Sequence, residues 1–201
     1  IQGHTDIGLS ESGADQARSL AERLAGVSID VAYSSDMKRT SETAKLALGG
    51  RDIVLHETPM LREYHKGEFE GMTLAEIKSQ FPDEYPKYLE KNLDYAPKGG
   101  ETTRDVSARM AKIIDEIKSN HLNEAVLVVS HGGALIEVPV FEGEMDEAAG
   151  LHHGGDGEAV LELAGGDEWR AHGGAFAHLD VWAAAPDFGL VITIEHGDVD
   201  G

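Results

Sequence analysis

The chain of 201 residues carries 37 acidic and 17 basic side chains, no cysteine, and a formal net charge of −20 at pH 7, with 41% hydrophobic residues. This length and apolar content are those of one globular domain, and the acidity argues against general binding to nucleic acid or to an anionic membrane surface. The lack of cysteine excludes disulfides, a thiolate nucleophile and cysteine-based zinc sites, and favours a reducing, cytoplasmic location.

Charge is distributed unevenly along the sequence. Residues 137–201 carry 15 acidic side chains and a single basic one, Arg170, together with half of the glycines and histidines. This acidic, Gly/His-rich C-terminal part is compatible with loops and turns, with unusual selection or with an engineered segment, and composition does not choose among them. The sequence contains no 18-residue apolar run and does not begin like a signal peptide, so neither a membrane span nor a signal peptide is expected.

Helix and strand signals alternate along the chain. Ser10 is a suitable cap for a helix whose apolar residues recur at helical spacing until Gly26. The other elements are assigned from apolar periodicity and from the residues that bound each run. Helices are predicted over residues 10–25, 37–48, 73–81, 83–92 and 102–119, and strands over residues 29–33, 53–56, 125–129, 158–163 and 190–194.

This alternation predicts a single α/β domain over residues 1–201, a three-layer sandwich with a mainly parallel central sheet and helices on both faces. In such sheets the functional site lies beyond the carboxyl ends of the strands. Polar side chains follow three of the predicted strands, and they are Ser34, Ser35, Asp36, Arg39, Glu63 and His131. We therefore expect these side chains to share one site.

Five motifs occupy these regions, in order, over about 130 residues. They are Gln2-Gly3-His4-Thr5-Asp6 with Leu9-Ser10, Tyr33-Ser34-Ser35-Asp36 with Arg39-Thr40, Leu61-Arg62-Glu63 with Gly67, Gly99-Gly100-Glu101, and Val129-Ser130-His131-Gly132-Gly133. Any one of them is easily matched by chance, but the ordered set is not. The set resembles the histidine phosphatase (phosphoglycerate mutase-like) superfamily.

The resemblance implies a reaction in which a histidine imidazole takes a phosphoryl group, becomes phosphohistidine and then passes the phosphoryl group to water. By the same resemblance, Arg39 is a phosphate clamp, His131 the second pocket histidine and Glu63 the proton donor. The residues assigned to substrate or phosphate binding are Gln2, Gly3, Thr5 and Gly132, beside Arg39. No metal and no cofactor is implied, and the expected partner is a small phosphorylated metabolite.

Each of these residues also has an ordinary structural explanation. Taken singly, Arg39 is compatible with a surface ion pair, Glu63 with a loop cap and His131 with a polar strand end. Residues 64–66 fit the mouth of a substrate pocket and a solvated loop equally well. Occurrence within one motif set favours the functional interpretation of Arg39, Glu63 and His131.

The position of the nucleophile is the main departure from the family. Sequences of the family that this chain resembles begin with a strand that ends in Arg-His-Gly. No such strand precedes Ile1 in this sequence. Residues 190–197, however, read as a strand followed by Glu195-His196-Gly197. We therefore expect a circular permutation, because omission of a central strand would expose two sheet edges. It would make His196 the nucleophile, with Glu195 in the place of the arginine and activity weakened by its negative charge. The alternative is a family fragment or variant that lacks the nucleophile strand and has an unrelated tail.

Three functions compete. The first is a phosphomonoester phosphatase, the second a phosphoglycerate mutase, and the third a catalytically weakened or engineered member that serves as a scaffold or binding module. A mutase resembling this family has a basic cluster after the Glu63 motif, whereas residues 74–94 offer only Lys78, Lys87 and Lys91. Hydrolysis is therefore favoured, by a monomer or homodimer. A metal site among the tail histidines, including His152 and His153, is a minor alternative.

Overall fold

The computed structural model describes residues 1–136, except 91 and 123, and the strands at 151–153, 159–161, 178–183 and 190–195. The described α-helices are α1 (Glu11–Arg23), α2 (Lys38–Ala47), α3 (Leu74–Gln80), α4 (Tyr85–Leu89), α5 (Thr103–Asn120) and α6 (Gly132–Ile136). The described strands are β1 (Val31–Ser35), β2 (Val54–Thr58), β3 (Val126–Val129), β4 (Leu151–His153), β5 (Ala159–Leu161), β6 (His178–Ala183) and β7 (Leu190–Glu195). Among these helices, none is both long and apolar enough to cross a bilayer.

Three of the described helices begin where the sequence places a capping side chain. Ser10 Oγ accepts a hydrogen bond from the main-chain N–H of Gly13 at 3.2 Å, and Thr73 and Thr102 each close a capping box at the start of α3 and α5. These side chains satisfy N–H groups that the first turn of a helix leaves without partners. The predictions for α1, α2, α3 and α5 are confirmed to within two residues at each end.

Helix α4 is shorter than the sequence predicts. It covers five residues rather than the predicted 83–92. The side chain of Asn92 accepts a hydrogen bond from the main-chain N–H of Asp94 at 2.9 Å, a local turn that competes with a continuing helix.

The central sheet has the strand order β2-β1-β3-β7-β6. Strand β1 is parallel to both β2 and β3, so that Val31 lies opposite Val54 on one side and Val126 on the other. Because these three strands run in the same direction, the residues that follow them meet at one edge of the sheet. This arrangement confirms the predicted parallel pairing for these three strands.

Strand β7 is an interior strand next to β3, but it does not run in the parallel direction that a permuted first strand would require. It pairs antiparallel with both β3 and β6, and Ile194 lies opposite Val126 at the start of β3. The mainly parallel sheet expected from the sequence therefore has two parallel and two antiparallel pairings among its described strands. Antiparallel pairing needs no helical crossover between the strands, which the apolar run alone could not reveal.

The two remaining described strands form a separate ribbon. Strands β4 and β5 pair antiparallel, and His152 lies opposite Val160. His152 and His153, the adjacent histidines of the alternative metal site, are the last two residues of β4. The strand predicted over 158–163 corresponds to the shorter β5.

Two hydrophobic cores lie on the two faces of the sheet. Successive residues of β3 point to opposite faces, with Val126 and Val128 in one core and Leu127 and Val129 in the other. The first core includes the apolar stripe of α5, which is Val106, Met110, Ile113, Ile114 and Ile117. The second core includes Leu20 of α1 and Ala44 and Ala47 of α2. Helices therefore cover both faces, which confirms the predicted three layers.

Candidate active site

Three loops meet beyond the carboxyl ends of the parallel strands. Asp36 follows β1, residues 61–63 follow β2, and Ser130 and His131 follow β3. The hydroxyl of Ser130 is buried and donates to the main-chain oxygen of Leu61 at 2.7 Å, which ties the loop after β3 to the loop after β2. The strand direction and this hydrogen bond bring the predicted site residues of three distant motifs together.

Arg39 lies in the first turn of α2 and is 6% exposed. Its Nη1 donates to the main-chain oxygen of Thr5 and its Nη2 to that of Gly3, both at 3.0 Å. Burial lowers the pKa of the guanidinium, and nearby carboxylates, Glu63 among them, act in the opposite direction. A guanidinium has five N–H donors, and two of them are used here to fix its orientation against neutral carbonyl groups.

Position 3 requires a glycine, because the side chains of Glu70 and Lys66 pack closely against it. Its φ of +52° favours glycine, and a Cβ at this position would lie 2.6 Å from Oε1 of Glu70 and 3.0 Å from Cγ of Lys66. The same Oε1 of Glu70 accepts the main-chain N–H of His4 at 2.8 Å. Gly3 and Thr5 thus contribute main-chain oxygens that hold the clamp. Gln2 is exposed, and substrate binding by these three residues stays a prediction.

The carboxylate of Glu63 is held by two main-chain N–H groups. Oε1 accepts from Tyr64 at 2.9 Å, and Oε2 accepts from Gly133, in the first turn of α6, at 3.1 Å. A Cβ on Gly133 would lie 2.5 Å from Oε1. Glycine at position 133 therefore lets the carboxylate lie directly against α6. Gly132, for which phosphate binding was expected, is the first residue of that helix.

A second arginine, Arg109 of α5, fixes the backbone of the loop after β2. Its Nη1 donates to the main-chain oxygen of Met60 and its Nη2 to that of Glu63, both at 2.9 Å. Nε and Nη2 also donate to the two carboxylate oxygens of Glu101, at 2.8 and 3.1 Å. The Arg109 guanidinium lowers the pKa of Glu101 although burial acts in the opposite direction. The main-chain oxygen of Glu63 lies 2.8 Å from Nε2 of His4 as well.

His131 is 4% exposed, and within the described residues its Nε2 has no hydrogen-bond partner. Burial lowers the pKa of His131 well below 6.5, and the charges of Arg39, Arg109 and His4 lower it further. The imidazole is therefore neutral at neutral pH. A buried, neutral ring with an unsatisfied nitrogen beside Arg39 has the properties of a group that hydrogen-bonds a phosphoryl oxygen.

The structure does not support the permuted nucleophile. His196 itself lies outside the described residues, and so do residues 197–201. The antiparallel pairing of β7 brings Ile194 beside the first residue of β3, at the end of that strand away from His131. A permuted nucleophile strand requires the parallel direction, so the circular permutation is not confirmed. The catalytic role of His196, and the effect of Glu195 on it, stay predictions.

No group of three histidine, aspartate or glutamate side chains in the described part of the chain converges on a metal position. The tail histidines of the alternative metal site lie in residues whose side chains are not described. The groups that meet at this edge are instead a guanidinium, a carboxylate and an imidazole. Together they can bind a phosphoryl group and move a proton.

Two residues of this site were not identified from the sequence as functional. Arg109 was missed, although its position three residues after Val106 and four before Ile113 places it beside the buried stripe of α5. A charged residue at such a position signals a buried partner, here Glu101. His4 lies within a quoted motif, but nothing in its spacing indicates a contact with Glu63.

Comparison with known proteins identifies a family that this chain resembles. The family model of the histidine phosphatase superfamily (branch 1) matches residues 1–138. Phosphoserine phosphatase 1 of Hydrogenobacter thermophilus is 32% identical over 130 residues, which are 65% of this chain and 62% of that protein. Glucosyl-3-phosphoglycerate phosphatase of Mycolicibacterium vanbaalenii is 34% identical over 92% of this chain and 87% of its own length.

A solved structure agrees with the sequence relatives. Bacillus stearothermophilus YhfR is 35% identical, with a TM-score of 0.67 over 71% of each chain. The chain spans about three fifths of the length of several curated relatives that it matches. The matched part contains the three strand ends at which Arg39, Glu63 and His131 lie.

Proposed function

Because the chain belongs to the histidine phosphatase superfamily, we propose that it is a phosphomonoester phosphatase that works through a phosphohistidine intermediate. One observation carries the proposal. Arg39 lies in the first turn of the helix that follows β1, Glu63 and His131 follow β2 and β3, and all three lie at the edge where these parallel strands end. Relatives named as phosphatases support hydrolysis as the reaction.

Each of the three side chains has a distinct role in the proposal. Arg39 binds the phosphoryl oxygens, since its guanidinium is buried and oriented by the oxygens of Gly3 and Thr5. Neutral His131 hydrogen-bonds the same phosphoryl group through Nε2. A histidine nitrogen, for which His196 is the candidate, bonds to phosphorus as the bond from phosphorus to the leaving oxygen breaks, and Glu63 gives that oxygen a proton. Water then attacks the phosphorus, Glu63 takes a proton from this water, and the histidine nitrogen leaves.

Mutase activity is less well supported. A carboxylated bisphosphate would need several cations, and residues 74–94 contain no arginine. Lys87 donates to Glu84 at 2.7 Å, and the ammonium of Lys78 lies 5.9 Å from the ring centre of Tyr85. The ammonium groups of Lys87 and Lys78 therefore both lie close to side chains at the start of α4.

The proposal is tested by hydrolysis of p-nitrophenyl phosphate and by calorimetric binding of inorganic phosphate to the 201-residue chain. We expect both to be measurable, and both to fall at least tenfold in Arg39→Ala. Arg51→Ala is the matched control, because Arg51 also donates only to main-chain oxygens in the described contacts, those of Leu24, Val27 and Leu48. Equal losses in the two variants would contradict the assignment.

The same assay includes His196→Ala, because the sequence makes His196 the candidate nucleophile. An unchanged rate of hydrolysis in this variant would remove His196 from the mechanism.

We further propose a cytoplasmic protein that acts on a small phosphorylated metabolite as a monomer or homodimer. The absence of cysteine from the sequence supports the location.

A further inference from the structure

His4 lies between the two residues that aim Arg39. The main-chain oxygens of Gly3 and Thr5 accept hydrogen bonds from the Arg39 guanidinium, both at 3.0 Å. The half-buried ring of His4 contacts the main-chain oxygen of Glu63, which lies 2.8 Å from its Nε2. Three consecutive residues therefore contact both the phosphate clamp and the backbone of the proton donor.

The direction of the hydrogen bond from His4 follows from its acceptor. A main-chain carbonyl oxygen only accepts, so Nε2 of His4 carries a proton and donates it to Glu63. The same oxygen accepts from Nη2 of Arg109 at 2.9 Å. The Glu63 side chain begins at the carbon atom beside this carbonyl group, so the two donors limit where the carboxylate can lie.

His4 is held in place by contacts that do not involve Glu63. Its main-chain N–H donates to Oε1 of Glu70 at 2.8 Å. Its ring packs edge-on against the ring of His65, with ring centres 4.7 Å apart, and Nδ1 of His65 in turn accepts from the main-chain N–H of Gly67 at 3.0 Å. A ring fixed in this way ties the position of the Glu63 backbone to the segment that holds the clamp.

The proposed reaction requires a defined separation between Arg39 and Glu63. Burial lowers the pKa of the Arg39 guanidinium, and the Glu63 carboxylate is close enough to raise it. Arg39 binds the phosphoryl group while Glu63 protonates the oxygen that leaves it, and this transfer needs hydrogen-bonding distance. The two residues lie in different elements, so contacts between loops set their separation. A shift of about 1 Å at such a site costs about 10²-fold in rate.

We propose that His4 is a positioning residue, which keeps the proton donor Glu63 at a fixed distance from a phosphoryl group bound at Arg39. The inference rests on the proposed function, because it adds a residue to the same site. His4 acts through the backbone of Glu63, whereas the carbonyl groups that aim Arg39 belong to its neighbours in the chain. Loss of the His4 donor should therefore slow protonation of the leaving oxygen and leave phosphate binding nearly unchanged.

The first test compares two esters by kcat/KM, which reports the step in which the leaving group departs. The leaving group of p-nitrophenyl phosphate departs readily without a proton, whereas that of phenyl phosphate needs one. We expect His4→Phe to lower kcat/KM about tenfold or more for phenyl phosphate and less than about threefold for p-nitrophenyl phosphate, as Glu63→Gln also should. His4→Ala repeats the test if His4→Phe does not fold.

Two further variants separate the hydrogen bond from the packing of the ring. His4→Phe keeps an aromatic ring against His65 and removes the donor. His4→Gln removes the ring and keeps an N–H donor at about the reach of Nε2, so it should retain at least about half of both rates. His56→Phe is the matched control, because exposed His56 also packs on an aromatic ring, that of Tyr33, with ring centres 4.9 Å apart. It should leave both rates within about twofold.

A second test does not depend on turnover and uses calorimetric binding of inorganic phosphate at pH 8. The ionised carboxylate of Glu63 repels a phosphate dianion at Arg39, so Glu63→Gln should raise the affinity of the wild-type chain about threefold or more. In the His4→Phe background the carboxylate is no longer held there, and the same substitution should raise the affinity by less than about 1.5-fold.

Three results would overturn the inference. They are equal losses for the two esters in His4→Phe, a loss in His4→Gln as large as that in His4→Phe, and an equal effect of Glu63→Gln on phosphate affinity with and without the His4 donor. Failure of the proposed function gives a different result. If neither ester is hydrolysed while the effect of Glu63→Gln on phosphate affinity depends on His4, the phosphatase proposal fails and the positioning role of His4 stands.

Discussion

Two histidines flank strand β3 and differ in how their ring nitrogens are used. His121 lies just before the strand, where its Nδ1 donates to Glu124 at 2.7 Å and its Nε2 accepts from the hydroxyl of Tyr33 at 2.8 Å. His131 lies just after the strand, and its Nε2 has no partner within the described residues. The first ring is satisfied by its neighbours and stabilises the fold. The second ring is buried with an unsatisfied nitrogen, which costs stability and suits the binding of a ligand.

The largest expected effect separates these two roles. His131→Asn should lower kcat for p-nitrophenyl phosphate about 10²- to 10³-fold, because a donor to the phosphoryl oxygens is lost. Its free energy of unfolding should change little, since Nε2 loses no described hydrogen bond. Parallel measurements on His121→Asn should show kcat within about twofold and a loss of about 1 kcal/mol in unfolding free energy, because the bonds to Tyr33 and Glu124 are weakened. Similar kcat values in His131→Asn and His121→Asn would show that the two histidines do not differ in their role in catalysis.

A smaller effect is expected where Glu63 lies against α6. Gly133→Ala should lower kcat about tenfold, because the added Cβ would lie 2.5 Å from Oε1 of Glu63 and must displace the proton donor. Gly26→Ala is a suitable control, since no atom lies within 4 Å of its added Cβ. Urea unfolding of both variants distinguishes a displaced carboxylate from a general loss of stability. A normal kcat in Gly133→Ala would mean that Glu63 is not the proton donor.

The contribution of His131 to stability should depend on pH. Burial lowers the pKa of His131 below the value of 6.5 that the unfolded chain has. The unfolded chain then binds more protons as the pH falls, so the contribution of His131 to stability is present above about pH 6.5 and is lost below it. Urea midpoints between pH 8 and pH 5 should fall less steeply in His131→Asn than in the wild-type chain. Identical slopes would show that His131 is not buried in its neutral form.

The smallest effect concerns the network at Tyr33. Burial raises the pKa of the Tyr33 phenol above 10.0, and the carboxylates of Glu116 and Glu124 raise it further. The folded state therefore favours the neutral phenol, and the stability that this phenol contributes is present below pH 10 and is lost at higher pH. The unfolding free energy of Tyr33→Phe should decline less between pH 9 and pH 11 than that of the wild-type chain. Tyr95→Phe tests whether another tyrosine accounts for the decline.

Local signals explain why much of the fold could be predicted. Ser10, Thr73 and Thr102 cap the helices that their positions predict, and the apolar run of β3 is buried throughout. The direction of β7 could not be predicted, because an apolar run reads the same whether its neighbour is parallel or antiparallel. The pairing that decides the direction involves residues far apart in the sequence, such as Ile194 and Val126.

The candidate site, like the fold, could be predicted only in part from the sequence. Arg39, Glu63 and His131 were predicted because each follows a strand of one parallel sheet and belongs to a motif. Arg109 was not predicted, because its role comes from the main-chain oxygens of Met60 and Glu63, and a main-chain oxygen leaves no mark in the sequence.

The hydrogen bonds that aim Arg39 have a consequence for the order of folding. They join residues 34 and 36 positions apart, and the bond from His4 to Glu70 joins residues 66 positions apart. Neither described core contains a residue from the segment 1–6, so both cores can form before this segment docks. A refolding chain should therefore regain its helices and sheet in an early phase and its affinity for phosphate in a later one.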